Sequence, residues 1–165
     1  MNISIRPLAA NDLTALRDML SAIGVFEEHE IRVAEELLDA AVAGDPDYTV
    51  YVAEVKAGDA GEPPPRAVMG YVCYGLNPVT DALFDLYWIA VDPSMQRHGA
   101  GRALLLHAEA CVRRAGGRGL VIDTSSRAEY QPAHQLYTRC GFQRVAEVPD
   151  YYQPGDSLIM YMKIF

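Results

Sequence analysis

LFDLYWIAVDPSMQRHGAGRALLLHAEACVRRA, residues 83–115, is the stretch on which the reading of the chain turns. Residues 83–91 are apolar and aromatic apart from Asp85, too few for a typical helix and closed by Asp92-Pro93, which predicts a buried strand. From Ala100 the apolar positions fall at Leu104, Leu105, Ala108, Cys111, Val112 and Ala115, the one-face spacing of an amphipathic helix, and Gly116-Gly117 supplies its stop. Between strand and helix lies Gln96-Arg97-His98-Gly99-Ala100-Gly101. The first turn of a helix carries unpaired N–H groups and the positive end of the dipole, and glycines let a phosphate come close to the backbone. With Arg97, His98 and Arg102 beside it, this loop is predicted to hold a pyrophosphate. A Walker loop would need Lys-Ser/Thr after its last glycine, where Arg102-Ala103 stands. A dinucleotide fingerprint would need a third glycine where Leu104 stands.

The rest of the chain frames this unit. Ile3 and Ile5 alternate with polar neighbours in a short first strand, and Asn11 is placed to cap a helix carrying Leu13, Leu16, Met19, Leu20 and Ile23. A second helix is predicted over 28–43, acidic at its start through Glu27, Glu28 and Glu30. Strands follow at 48–55 and 68–74, separated at 56–66 by a glycine- and proline-rich stretch that predicts an exposed, mobile loop. After the central unit come a strand at 120–123, parallel to the strand at 83–91 by a right-handed crossover, and a helix with Pro132 in its first turn, ending at Gly141. Strands at 145–148 and 158–164 close the chain, and these exposed terminal strands offer a surface for a homodimer.

Two segments together carry a family resemblance. Gln96-x-x-Gly99-x-Gly101, set between Ile89-Ala90-Val91-Asp92-Pro93 and an amphipathic helix, resembles the acyl-CoA-binding motif of the GCN5-related N-acetyltransferase (GNAT) superfamily. Ala133-His134-Gln135-Leu136-Tyr137-Thr138-Arg139-Cys140-Gly141-Phe142 is similar to the A-x-x-L-Y-x-x-x-G-F segment of the same family. The resemblance covers essentially the whole chain, the first third in pattern rather than in letters. It implies an α/β (α+β) fold with a mixed, mostly antiparallel sheet, a splayed parallel pair and about four helices, in a single domain over residues 1–165.

The resemblance also implies roles. Acetyl-CoA is the expected co-substrate, its pyrophosphate on the backbone of Gln96, Arg97, His98, Gly99, Ala100, Gly101 and Arg102, its pantetheine beside Ile89 and Val91. Tyr137 is placed as the acid for the leaving thiolate. Asp85 is costly to bury unless paired or functional, and stands where histone-type members carry a glutamate base; a structural pairing with Arg or Tyr is the competing reading. The turn before the second helix overhangs the acceptor in this family, which makes Glu27 and Glu28 candidates for meeting an amine, although acids there ordinarily serve the helix dipole. Tyr130 replaces an asparagine common in relatives, and Tyr130 and Tyr152 are candidates for the acceptor side, while Trp88 is read first as core. The expected reaction is acetyl transfer to a primary amine of a small molecule by direct attack. A protein N-terminal or lysine acetyltransferase and a non-catalytic acyl-CoA-binding module are the alternatives.

Composition excludes other classes. Across 165 residues, 14 Lys plus Arg against 22 Asp plus Glu give a net charge of −8, with no basic run to offset it, which argues against nucleic acid as a partner. Cys73, Cys111 and Cys140 show no metal or disulfide spacing and read as reduced, largely core residues. Neither a metal-ligand cluster nor an apolar run of membrane length is present, so a cytoplasmic protein without membrane association is expected.

Overall fold

A computed structural model describes residues 2–55 and 68–165. The loop expected at 56–66 lies outside the described residues. In chain order the elements are β1 (Ile3–Pro7), α1 (Leu13–Ile23), α2 (Glu28–Val42), β2 (Thr49–Val55), β3 (Val68–Leu76), β4 (Leu83–Val91), α3 (Ala100–Arg114), β5 (Gly119–Ser125), α4 (Gln131–Arg139), β6 (Gln143–Gln153) and β7 (Asp156–Ile164). The strands form one sheet in the order β1-β2-β3-β4-β5-β7-β6, antiparallel throughout except for β4 beside β5. This is the mixed sheet with one parallel pair and four helices that the sequence led us to expect.

The helices cover the sheet from both sides. On one face α3 buries Leu104, Leu105, Ala108 and Val112, positions its periodicity picked out, against Leu120, Ile122 and Leu86 of the strands. On the other, Leu16 and Leu20 of α1 and Ala34 and Leu38 of α2 close over Val50, Val52, Tyr71 and Cys73. Each such fully buried leucine contributes roughly 1.5–3 kcal/mol over an exposed one. Among the described residues no helix is long and apolar enough to cross a membrane.

Two boundaries differ from the sequence reading. Asn11 does not cap α1; a 3-10 turn, Ala10–Asp12, precedes the helix, and the buried Asp12 side chain takes the local donors instead. Its carboxylate accepts the Ala9 N–H at 2.9 Å and two bonds of 2.7 Å from the Arg6 guanidinium of β1. A two-point charged partner outcompetes the neutral amide next door. The terminal strands are also longer than 145–148 and 158–164. All of β6 is solvent-exposed, so no apolar alternation marks its ends. Its bounds are set by pairing with β7, with breaks in register between Arg144 and Ala146 and between Val148 and Gln153.

Two irregularities in β4 position the site. Parallel pairing with β5 spans only Leu83–Asp85 against Gly119–Val121. Beyond it the strands part, and residues 86–91 have no strand partner on that side among the described residues. Opposite β3, the register passes from Leu86 to Trp88 and leaves Tyr87 as an extra residue. Such a bulge re-aims the side chains after it. Tyr87 and Trp88 join the core beneath α1 and α2, whereas Phe84, Leu86, Ile89 and Val91 face α3.

Candidate active site

The first part of the site is built from backbone. After β4, Asp92 Oδ1 accepts the Ser94 N–H at 2.8 Å and starts a short 3-10 turn. The chain then takes the left-handed conformation at Arg97 (φ 65°) and Gly99 (φ 88°) before entering α3. The earliest bond within the helix runs from the Ala103 N–H to the Gly99 carbonyl at 2.9 Å. The N–H groups of Ala100, Gly101 and Arg102 therefore have no carbonyl within the helix to serve and point outward along its axis. A side chain begun at Gly99 would meet nothing within 4 Å, so the space beside this N-cap position is open. Gly101 is different: its Cβ would come within 3.2 Å of Leu136 Cδ2. That close approach seats the first turn of α3 against α4 one residue from Tyr137. Gln96, Arg97, His98 and Arg102 are all exposed around the loop. Loop and helix end form a ready anion site next to the open edge of β4.

The second part is drawn from α4, β4 and β5. Tyr137, on α4, is 4% exposed and packs on Tyr161 and Phe142, with ring centroids 5.4 and 6.4 Å away. Burial pushes its hydroxyl well above the usual tyrosine range, with the neighbouring Tyr130 and Tyr161 adding to the shift. Asp85 sits at the last paired position of β4, half-buried, and accepts a 2.9 Å hydrogen bond from Asn77 Nδ2. Its partner is an amide, not the Arg or Tyr expected for a structural pair. Burial raises the Asp85 carboxyl, and the Asn77 bond opposes that shift.

Asp123 was not singled out by the sequence. Asp85 is paired with Val121 in the parallel register, so Asp123, two residues on, projects from the same face of the sheet. Its carboxyl is raised first by burial and then by the negative charge of Asp85. The clue was available only in the parallel register, which the letters do not fix.

The third part overhangs this gap. Glu27 is the N-cap residue of α2, and its N–H donates to Glu30 Oε2 at 2.7 Å. Tyr130 donates its hydroxyl to Glu30 Oε1 at 3.1 Å. Arg127, from the loop after β5, reaches Glu27, Glu30 and the buried Asp156 of β7, tying the α1–α2 turn to the far end of the sheet. Phe26 bridges Trp88 and Tyr130, with centroids 5.0 and 6.4 Å away. Trp88 belongs to the core edge. A cleft of about 80 Å³ is lined by Glu27, Glu30, Arg127, Tyr152 and Asp156, among others. The Tyr152 hydroxyl is pushed up to about 12 by burial, then by Asp123, Tyr151, Asp156 and Glu30. Glu28 lies on the exposed side of α2 and does not line this cleft. Arg127, Glu30 and Asp156 complete the rim and escaped sequence reasoning because their partners lie up to a hundred positions away in the chain.

The chain that carries this helix-start loop, open strand edge and cleft has relatives of known family and structure. Residues 46–144 match the acetyltransferase (GNAT) domain family. A Desulfovibrio desulfuricans protein assigned to the GNAT acetyltransferases is 34% identical, with 99% of each chain covered and a TM-score of 0.85. Two more distant structures share the fold. The ribosomal-protein-S18-alanine N-acetyltransferase of Escherichia coli is 22% identical, with 99% of this chain and 94% of that one covered and a TM-score of 0.72. The Salmonella typhimurium protein yncA, solved with acetyl-CoA, is 19% identical over 98% of this chain and 93% of its own, also at 0.72. Among curated proteins nothing matches. Family match, whole-length likeness and site geometry agree: the chain belongs to the GNAT family of acetyltransferases.

Proposed function

We propose that this enzyme transfers the acetyl group of acetyl-CoA to a primary amine of a small molecule, by direct attack with both substrates bound. The observation that carries the reading is the gap beyond Asp85 and Val121, which leaves the β4 edge at residues 86–91 without a strand partner on that side among the described residues, between the start of α3 and the strand bearing Asp123. Acetyl-CoA supplies an activated thioester acetyl group. The open ground over Gly99 fits its pyrophosphate, with the exposed Arg97, His98 and Arg102 adding charge, and the unpaired edge at Ile89 and Val91 fits an extended, amide-bearing arm.

The side chains divide the proton work. Asp85 and Asp123, raised in pKa and on one face, take the proton an ammonium must lose before its nitrogen can attack. Tyr137, held neutral by burial, retains a proton to give to a departing thiolate. The N–H at Val91 is the donor for the developing oxyanion. Glu27, Glu30, Tyr130 and Tyr152 bind the acceptor at the cleft.

A second reading has a specific observation behind it. Tyr151 and Tyr152 stand 59% and 48% exposed at the rim, which leaves the cleft open on that side, as an N-terminal peptide would need. Free-thiol release from acetyl-CoA across pools of polyamines, amino acids, aminoglycosides, arylamines and short peptides decides between the two. Tyr137→Phe is the control, expected to lower turnover by roughly ten- to ten-thousand-fold, a range wider than that of typical acid catalysis because a thiolate leaves readily. Thiol release that is the same in the variant would remove Tyr137 as the acid.

A further inference from the structure

Among the described residues, three buried side-chain polar atoms have no hydrogen-bond partner: Tyr71 Oη, Trp88 Nε1 and His107 Nε2. Burying such a group unpaired is costly, so each needs an explanation. The three are not placed alike. His107 is on α3, its ring 4.3 Å from that of Tyr51 on β2, on the sheet face away from α1 and α2. Tyr71 is fully buried in β3, paired with Val52 on one side and Ala90 on the other. Trp88 differs from both, because it belongs to residues 86–91 of β4, which pair with β3 and not with β5.

The proposed base lies on the same strand. Phe84 and Leu86 face α3, so Asp85 between them projects from the opposite face. The bulge at Tyr87 turns Trp88 onto that face too, beneath α1 and α2. Carboxylate and unpaired indole N–H thus share one strand and one face, and at roughly 3.3 Å of rise per residue their α-carbons lie within about 10 Å of each other. Phe26, from the turn between α1 and α2, rests against the indole with ring centroids 5.0 Å apart and lies 6.4 Å from the Tyr130 ring, and Tyr130 donates to Glu30 at 3.1 Å. These contacts tie the indole to the overhanging turn, with the half-buried Phe26 ring as its cover.

We propose that the Trp88 indole N–H is a specificity-determining donor of the acceptor site, which receives an oxygen of the amine substrate when the Phe26 ring turns aside. The inference rests on the acetyltransferase reading of the same site and narrows its substrate to amines that also carry a carbonyl oxygen, amino amides rather than plain alkylamines. A donor kept buried for such an oxygen discriminates against the analogue that lacks it, because an alkyl chain leaves the N–H unpaired. Trp88 meets the acceptor away from the reacting atoms and is a binding rather than a catalytic residue.

The chain has a single tryptophan, so isotope-labelled protein gives one indole N–H resonance. With coenzyme A bound as a dead-end partner, amino amides of graded length move that resonance downfield, and alkylamines of the same lengths do not. Phe26→Ala, which removes the cover, makes the indole N–H of the free protein exchange several-fold faster with solvent. Thiol release from acetyl-CoA then gives kcat/KM for each amide over its alkylamine. The wild type favours the amide, and Trp88→Phe, which keeps a ring against Phe26 and drops the donor, lowers that preference by roughly three- to ten-fold, the worth of one neutral hydrogen bond. The loss falls in the KM for the amine and leaves the KM for acetyl-CoA in place. A resonance that responds alike to both series, an exchange rate unchanged in Phe26→Ala, or a preference unchanged in Trp88→Phe overturns the proposal while leaving the acetyltransferase reading standing. If Trp88→Phe fails to fold, the resonance in the wild type decides alone. Absence of thiol release from every amine in the wild type removes the acceptor reading, and this inference with it.

Discussion

Replacing Gly99 separates what its backbone does for the fold from what its missing side chain does for the cofactor. At φ 88° an alanine pays the left-handed penalty of an L-residue, about 1–2 kcal/mol. For a chain of this length that corresponds to a melting temperature lower by about 2–8 °C, at roughly 2–4 °C per kcal/mol. The new methyl meets no protein atom within 4 Å, so no packing cost adds to the strain. It would enter the open space beside the start of α3, where the proposed phosphate has to come close. Saturating acetyl-CoA at a hundred times its Kd stabilises the folded state by about 2.7 kcal/mol. The wild type therefore melts roughly 5–11 °C higher with the cofactor, and Gly99→Ala is expected to lose most of that rise. Gly99→Asn completes the experiment. Asparagine tolerates the left-handed region better and should recover stability without the cofactor, but its side chain still blocks the amides and the ligand-induced rise should stay small. Thermal melts of the three proteins with and without acetyl-CoA provide the readout. A full ligand-induced rise in both variants would refute the placement of the pyrophosphate on this loop.

Other consequences can be checked with single variants. Leu104→Ala, at a fully buried position of α3, is expected to cost about 2–5 kcal/mol in urea unfolding. Arg17→Ala, which breaks an exposed pair with Asp39, should cost no more than about 1 kcal/mol, and Arg6→Ala should cost more, because the carboxylate of the buried Asp12 loses two 2.7 Å bonds. For the pH–rate profile, activity rises as Asp85 and Asp123 ionise, at a pH above the ordinary carboxylate value of 3.8. Asp85→Asn removes the negative charge that helps raise the Asp123 carboxyl, so the rising limb of the surviving carboxylate should move to lower pH. A limb that does not move would separate the two groups.

The donor side of the site was legible in the sequence because it is local. Gly99, Gly101 and the helix that follows are consecutive, and the chemistry of an anion cradle is carried by backbone geometry that a few letters determine. The acceptor side is assembled from residues far apart in the chain. Glu30 and Arg127 meet only after α2 folds over the end of β5, and Asp123 joins Asp85 only once the parallel register is set. Asp85 itself stood out because an acid in an apolar strand needs an explanation, whereas Asp123 sits near a strand end, where polar residues are ordinary. The exposed β6 had no periodicity to read, and the α1 cap was misjudged because Arg6, the partner that decides it, belongs to another element.

The acidic excess of the chain, −8 overall, acquires a direction once these placements are known. Around the loop before α3 stand Arg97, His98, Arg102 and the positive end of a helix. Beyond the β4–β5 gap stand Asp85, Asp123, Glu27, Glu30 and Asp156, offset there by Arg127. An anionic cofactor and a cationic amine would thus approach from opposite ends, each drawn by a field that repels the other. Where these charges are exposed, as at Arg97, His98, Arg102 and Glu27, that steering is screened over roughly 8–10 Å at ordinary salt. Raising the salt should therefore raise the KM for both substrates and affect kcat less, since Tyr137 is buried and Asp85 half-buried. A fall in kcat with no change in either KM would place the salt-sensitive charges at the chemistry rather than at the two entrances.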